Sequence, residues 1–251
     1  MSHQFRFFAR PLDAGVWVIQ DEERDHLAKT LRLTVGSIVE VFDGLGRQNF
    51  GPIVALNSSQ ATVLCSANPD MISQPPAAPI HILFGALRHR VFDDIWPSLV
   101  ELGVDAIHVF RQQGTDKDRL NDKTIGRWDR IGLSAAKQSR RAWLPKIHVH
   151  QDLQAASAYV QALGGALLVG HPNHPSPGHL DNLWSAAGPV AILLGSEIGL
   201  REDELQIANS YDFKPISLGP HILRATTAMV CAVAVASIHR HKNSFPTEKK
   251  S

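Results

Sequence analysis

The chain has 251 residues, 44% of them hydrophobic and 20% charged, and a formal net charge of +1. That is ordinary composition for a soluble globular protein, and a chain of this length can bury a sizeable core without disulfide staples. A polycation is excluded, so any contact with nucleic acid has to come from local basic patches. Two domains, one small and one of medium size, suit this length. Cys65 and Cys231 both sit in apolar runs, as buried free thiols do in a reducing cytoplasm. The opening MSHQFRFFARPL has neither a long apolar core nor a small-residue cleavage site, so no secretory leader is expected.

From the N-terminus the pattern is mostly β. Short runs rich in branched residues at Val16–Ile19, Ile38–Phe42, Ile53–Leu56 and Ala61–Cys65 predict strands, and Asp43-Gly44 and Leu45-Gly46 supply the turns. One helix is expected near Glu22–Leu33, with Leu27 and Leu31 on one face. Strands plus one helix in so short a span suggest a small β-barrel over residues 1–70. Asn68–Pro79 then reads NPDMISQPPAAP; four prolines in twelve residues sustain neither a helix nor a central strand, so a linker is expected here.

Beyond the linker, in a second domain at 80–245, strands and helices alternate. Strands are predicted at Ile80–Phe84, Ala106–Phe110, Ile147–Val149, Ala166–Val169, Val190–Leu194 and Ile216–Leu218. Helices are predicted at Val91–Leu102 (kinked at Pro97), Lys123–Ser139, Leu153–Leu163 and Arg201–Tyr211. Such alternation predicts a mostly parallel α/β sheet, with ligands bound beyond the carboxyl ends of its strands. The apolar run Ala225–Ile238 is 14 residues long. A bilayer span needs about 20, so the run reads as a buried helix and no membrane contact is expected.

Two segments stand out for chemistry. In the first, Ala191–Leu194 runs into Gly195-Ser196-Glu197-Ile198-Gly199-Leu200 and then a charged helix. Glycines there permit positive φ and the close backbone approach that a flat nucleoside-like ligand needs; a plain strand-to-helix turn has the same spacing. In the second, Leu218-Gly219-Pro220-His221-Ile222-Leu223-Arg224 leads straight into the apolar helix. A charge at Arg224 needs either a ligand or a structural ion pair. His171, His174 and His179 have loose spacing among prolines and no nearby cysteine, so no metal site is expected.

Taken together, these segments resemble the RsmE family, which methylates N3 of a uridine in 16S ribosomal RNA. The resemblance rests on Arg6-Phe7-Phe8, His26, Leu31-Arg32-Leu33, Gly36 and Phe42-Asp43-Gly44. It continues through Glu101–Val104, Gln138-Ser139 with Arg141 and Pro145, and the two C-terminal segments. Where the family has Gly-Pro-Glu-Gly-Gly and Leu-Gly-Pro-Arg-x-Leu-Arg-x-Glu-Thr-Ala, this chain carries replacements at Ser196, Ile198, His221 and Thr226. Arg140 stands where the family usually has glycine.

The resemblance implies a SPOUT-type α/β domain with a deep C-terminal trefoil knot, working as a cytoplasmic homodimer, preceded by a PUA-like RNA-binding barrel. It implies S-adenosylmethionine held by three loops: Val169 and Gly170; Leu194, Gly195, Ser196, Glu197, Gly199 and Leu200; and Leu218, Gly219, Pro220, His221, Ile222 and Leu223. Arg224 is the candidate for stabilising the developing uracil anion or holding phosphate. Glu197 is the candidate for fixing Arg224, binding the cofactor or accepting a proton. Arg6, Arg10, Lys29, Arg32, Arg88, Lys137, Gln138, Arg140 and Arg141 are the candidates for contacting 16S RNA within the small ribosomal subunit. Two other readings fit the same residues: a homologue that binds RNA with altered or lost chemistry, and a methyltransferase of this class with a different RNA target.

Overall fold

The computed structural model describes residues 5–13, 15–67, 71–87, 89–112, 120–171 and 178–244. Arg88, His174 and residues 68–70 of the expected linker lie outside them. The chain divides into two units, one of residues 1–75 with 136–144, the other of residues 76–135 with 145–251.

The first unit is a seven-stranded sheet. Its strands are β1 (Arg6–Phe8), β2 (Arg10–Pro11), β3 (Val16–Gln20), β4 (Ile38–Phe42), β5 (Arg47–Leu56), β6 (Gln60–Leu64) and β7 (Met71–Ile72). Their order is β1-β4-β5-β6-β3-β2, with β7 also paired to β5. Only Ala9 separates β1 from β2, the two ends of this path, so the sheet has to curl round on itself. β5 makes that possible: it is ten residues long and its register with β6 shifts between Ile53 and Ala55, the kind of irregularity that bends a strand. Phe7, Trp17, Ile19, Val39, Val41, Ile53 and Val63 fill the interior with the two-residue period of strands.

The expected helix is shorter and partly of another kind. After α1 (Asp21–Asp25) the chain makes a π-helical turn over His26–Thr30, which keeps Leu27 fully buried in the sheet core. Asp43 organises the β4–β5 turn by accepting from the backbone of Leu45 (2.8 Å) and Arg47 (3.1 Å), as Asp does in such turns. Gly44 and Gly46 there have φ of +71° and +97° and press against Leu144 and Trp143, so the distant segment 136–144 completes this unit. β7 lies inside the expected linker. Met71 and Ile72 keep exposed side chains and join through backbone pairing to Gln48 and Arg47, which composition does not register.

The second unit holds six parallel strands: β8 (Ile80–Gly85), β9 (Ala106–Phe110), β10 (Lys146–His150), β11 (Ala166–Gly170), β12 (Val190–Leu194) and β13 (Lys214–Ile216). The order is β10-β9-β8-β12-β11-β13. Between and after them come α2 (His89–Leu102), α3 (Asp122–Gln138), α4 (Leu153–Ala162), α5 (Leu180–Leu183), α6 (Glu202–Ser210) and α7 (Ala225–Ser244). β8, β9 and β12 are buried at nearly every position, as parallel strands covered on both faces are. α2 runs through Pro97 without ending, held by Phe92, which stacks on Phe84 and Trp96 and meets Trp128 at a tilt, and by Trp96, whose Nε1 donates to the Trp128 carbonyl at 2.8 Å.

β13 lies two residues earlier than expected. Pro215 sits in it because β13 is an edge strand that can dispense with one donor, which leaves Leu218 and Gly219 free for the following loop. α7 buries Met229, Ala232, Val233 and Ala236 completely, a single stripe at helical spacing, and leaves Val235 and Ile238 40% and 57% exposed. Among the described residues no helix is long and apolar enough to cross a membrane.

Candidate functional site

The carboxyl ends of β11, β12 and β13 lie side by side and open into one cavity of about 590 Å³. Three loops form it. Gly170 and His171 leave β11, Gly195–Leu200 leave β12, and Ser217–Arg224 lead from β13 to α7. The β12 loop is a tight turn in which the Gly199 N–H donates to the Ser196 carbonyl at 2.9 Å and Gly199 has φ +79°. Gly195 is tied to that turn sterically: a Cβ there would lie 2.7 Å from Gly199 Cα and 2.8 Å from Leu200 N. Gly219, at φ +146°, lets the third loop turn around the Ser217 hydroxyl, which donates to the Gly219 carbonyl at 3.0 Å. The Arg224 carbonyl accepts from Ala228 N at 2.8 Å, which starts α7.

Of the residues singled out in the sequence, Gly170, Leu194, Gly195, Ser196, Glu197, Gly199, Leu200, Leu218, Gly219, His221, Ile222, Leu223 and Arg224 all line this cavity. Val169 does not: it is 3% exposed and packs in the sheet core. Pro220 is exposed and is not among the lining residues. His171, next to Gly170, and Ile198, inside the expected Gly195–Leu200 loop, line it as well, while Glu202, Leu205, Ile216, Ser217, Ala225 and Ala228 were not anticipated. Glu202 with Leu205 and Ala225 with Ala228 are i,i+3 pairs, so helix phase could have found them. Ile198 and Ile222 are 77% and 76% exposed, more than any other large hydrophobic side chain among the described residues.

Glu197 and Glu202 are the carboxylates of the lining and Arg224 its guanidinium. The wall is otherwise largely backbone and aliphatic. Cys231, expected to be buried, is half-buried on α7, with Sγ 3.6 Å from the Leu218 carbonyl of the third loop.

The basic residues singled out for RNA have several fates. Arg6 is enclosed in the first unit, with a side chain only 6% exposed. It pairs with Glu40 at 3.0 Å, donates to the Arg141 carbonyl at 2.8 Å and lies 4.3 Å over the Phe42 ring. Its guanidinium is thus occupied internally, which corrects the expectation of a phosphate contact. Lys137 is likewise held by Glu23 at 2.5 Å. Arg10, Lys29, Arg32, Gln138 and Arg140 are exposed, and Arg141 is half-buried. Arg140 sits at φ +58°.

A second titratable cluster lies in the same unit as the cavity, on β8, β9 and β10. His81 Nδ1 is 2.9 Å from His108 Nε2, and His108 Nδ1 is 3.0 Å from His150 Nε2. His148 stacks on His108 with ring centroids 4.8 Å apart, and Tyr159 of α4 closes over them. Burial pushes His81 down to about 4, partly offset by Asp105. Burial lowers His108, His148 and His150 as well. Among the described residues no group of three or more His, Cys, Asp or Glu side chains is arranged to hold a metal ion.

The RNA methyltransferase domain model matches residues 73–237. Ribosomal RNA small subunit methyltransferase E of Buchnera aphidicola is 28% identical over 222 residues, 86% of this chain and 85% of that protein. The protein of the same name from Mycobacterium bovis is 27% identical over 241 residues, 91% and 88% of the two chains. Among solved structures, ribosomal RNA small subunit methyltransferase E from Neisseria gonorrhoeae bound to S-adenosyl methionine has TM-score 0.81 at 24% identity, covering 94% of this chain and 98% of that one. A Legionella pneumophila methyltransferase with bound cofactor has TM-score 0.80 at 21% identity with the same coverage. At these identities the structural likeness speaks to the fold.

Proposed function

Because the chain belongs to the RNA methyltransferase domain family, in its RsmE branch, we propose that it methylates N3 of a uridine in 16S ribosomal RNA with S-adenosylmethionine as donor. The observation that carries this is the single cavity between the three loops, with Glu197 and Arg224 both on its wall. The cavity suits the donor: at about 590 Å³ it lies within the range of small-molecule pockets. Its Gly195 backbone is also too close to Gly199 to admit a side chain, so ligand contacts there fall to main-chain groups.

When bound, S-adenosylmethionine supplies an electrophilic methyl group on a sulfonium. The protein's task is then mainly orientation, which is the larger part of catalysis in such transfers. Arg224 stabilises the negative charge that develops on the uracil ring as the N3 proton leaves. Glu197, also on the cavity wall, orients the donor or takes that proton. The net negative balance of Glu197 and Glu202 against Arg224 favours a cationic donor over its neutral thioether product. The target base has to be unpaired or flipped out to enter, and the exposed Arg10, Lys29, Arg32 and Arg140 of the first unit supply phosphate contacts.

Three structural readings go with this function. The curled first-unit sheet is a PUA-like RNA-binding barrel. The C-terminal threading, in which α7 returns after β13 to pack on β8 and β12, is a trefoil knot. Exposed Val235 and Ile238 on α7 lie in a homodimer contact, and the protein works in the cytoplasm. The decisive experiment is nucleoside mass spectrometry of 16S RNA from a strain lacking the gene, before and after incubation of its small subunits with the protein and S-adenosylmethionine. Appearance of N3-methyluridine supports the proposal; methylation at another nucleotide would support a different RNA target.

A further inference from the structure

Glu204 is a carboxylate with 3% exposure in the first turn of α6. Burying such a charge is costly unless hydrogen bonds compensate it. Here they do. Oε2 accepts from the Arg201 backbone at 2.9 Å, and Oε1 accepts from Gln112 Nε2 at 2.9 Å. The Arg201 guanidinium stands off at 3.9 Å, so the hydrogen bond to Gln112 is the closer side-chain contact.

Gln112 follows the end of β9 by two residues and is itself 6% exposed. It lies flat over Gly85, the last residue of β8; a Cβ at position 85 would fall 2.3 Å from Gln112 Cδ. One carboxylate therefore binds the start of α6 to the carboxyl ends of both β8 and β9. The start of α6 is also where the β12 loop ends, at Leu200-Arg201. On the same turn Glu202 and Leu205 face the cavity while Glu204 faces away from it. Neither Glu204 nor Gln112 lines the cavity, so any effect on a ligand has to pass through the loop.

We propose that Glu204 and Gln112 are a positioning pair that fixes the donor-binding loop Gly195–Leu200 against the ends of β8 and β9. This rests on the reading of the cavity as the donor site. In Gln112→Glu two carboxylates face each other in a buried place, and the loop loses its anchor. Adding Glu204→Gln reverses donor and acceptor and restores the bond. The amide introduced by that second substitution donates to the new carboxylate, and its oxygen still accepts from Arg201 N.

The test is titration calorimetry with S-adenosylhomocysteine together with steady-state methylation. Gln112→Glu is expected to raise Kd for the thioether and KM for the donor by roughly 10-fold or more, the effect of one lost buried hydrogen bond to a charged group. The kcat at saturating donor and the KM for RNA are expected to stay within about 2-fold, as when only uniform donor binding is lost. The double variant Gln112→Glu/Glu204→Gln is expected to recover most of the affinity. If Gln112→Glu does not fold, Gln112→Met keeps the volume without the hydrogen bond and is expected to weaken donor binding similarly. Unchanged Kd in the folded single variants, or no recovery in the double variant, overturns the pairing. A wild-type protein that binds neither thioether nor donor overturns the donor-site reading itself, and the pairing with it.

Discussion

His81 Nδ1 meets His108 Nε2 at 2.9 Å across neighbouring strands, inside a unit that buries both rings. Burial keeps these imidazoles neutral in the folded protein, with His81 titrating near 4 and His108 also lowered. In an unfolded chain they take up protons near pH 6.5. Between those values the unfolded state binds more protons, so the contribution to stability is complete above about pH 6.5 and is lost as pH falls towards 4. For His81 alone the loss is on the order of 3 kcal/mol at the lower limit. Urea unfolding at pH 7.5 and 5.0 should show this fall, and His81→Leu should reduce it. A pH-independent midpoint in the wild type would refute the account.

Arg224→Ala should lower the rate of methyl transfer by roughly 100- to 1000-fold, the usual cost of removing a preorganised contact to developing charge. Folding and thioether binding should change little, because Arg224 is exposed. Single-turnover transfer with saturating RNA is the measurement. A near wild-type rate would shift attention to Glu197.

Arg6→Ala should destabilise the first unit by about 3–5 kcal/mol, because it leaves Glu40 buried without its nearest cation. Arg10→Ala and Arg32→Ala, at exposed positions, should leave stability within about 0.5 kcal/mol. Each should instead reduce the salt slope of RNA binding by about one counterion. Denaturant unfolding beside filter binding at several salt concentrations separates the two classes.

Arg140 occupies a left-handed backbone conformation, φ +58°, that costs an L-residue about 1–2 kcal/mol. Its ion pair is a long one, 3.8 Å to Glu40 from a side chain 64% exposed. Arg140→Gly should therefore be neutral to stabilising by up to about 1 kcal/mol, while an ordinary exposed arginine replaced by glycine would not gain. Thermal unfolding tests this, and RNA affinity measured on the same variant reports whether the charge has a second use.

Ile238→Asp should weaken self-association, because Ile238 is an exposed apolar residue on the open side of α7. Sedimentation velocity at micromolar concentration should show a dimer for the wild type and a shift towards monomer for the variant. A wild-type monomer would remove the dimer from the proposed function.

Much of the sheet was legible because burial on both faces leaves a plain signature. Ile38–Phe42, Ala106–Phe110 and Val190–Leu194 are strands with the ends that sequence suggests. β1 was not legible, since three residues beginning with an arginine carry no period. Gly195 and Gly199 pointed to the cavity because close backbone approach needs glycine. Glu202 and Leu205 did not, because their facing depends on the phase of α6. Arg6 was misread for a simple reason: a basic side chain does not show, in sequence, that an internal carboxylate such as Glu40 already holds it. Gln112 and Glu204 were silent in the same way, their contact being made only where the start of α6 meets the segment after β9, far apart in the chain.

Gly44 packs on Leu144, Gly46 N–H donates to the Ala142 carbonyl at 3.0 Å, and Glu23 pairs with Lys137. The N-terminal sheet therefore lacks part of its packing until a segment some way into the rest of the chain has been made. Domains usually fold in order of synthesis, but here the first unit gains its full set of contacts only once residues 136–144 have emerged. A stop or a cleavage after Pro75 would leave a sheet with Glu23 held only by the Phe8 N–H, an exposed turn at Gly44–Gly46 and an Arg6 guanidinium missing one of its acceptors. The contacts of the first unit are thus completed past the middle of the message, later than its domain order suggests.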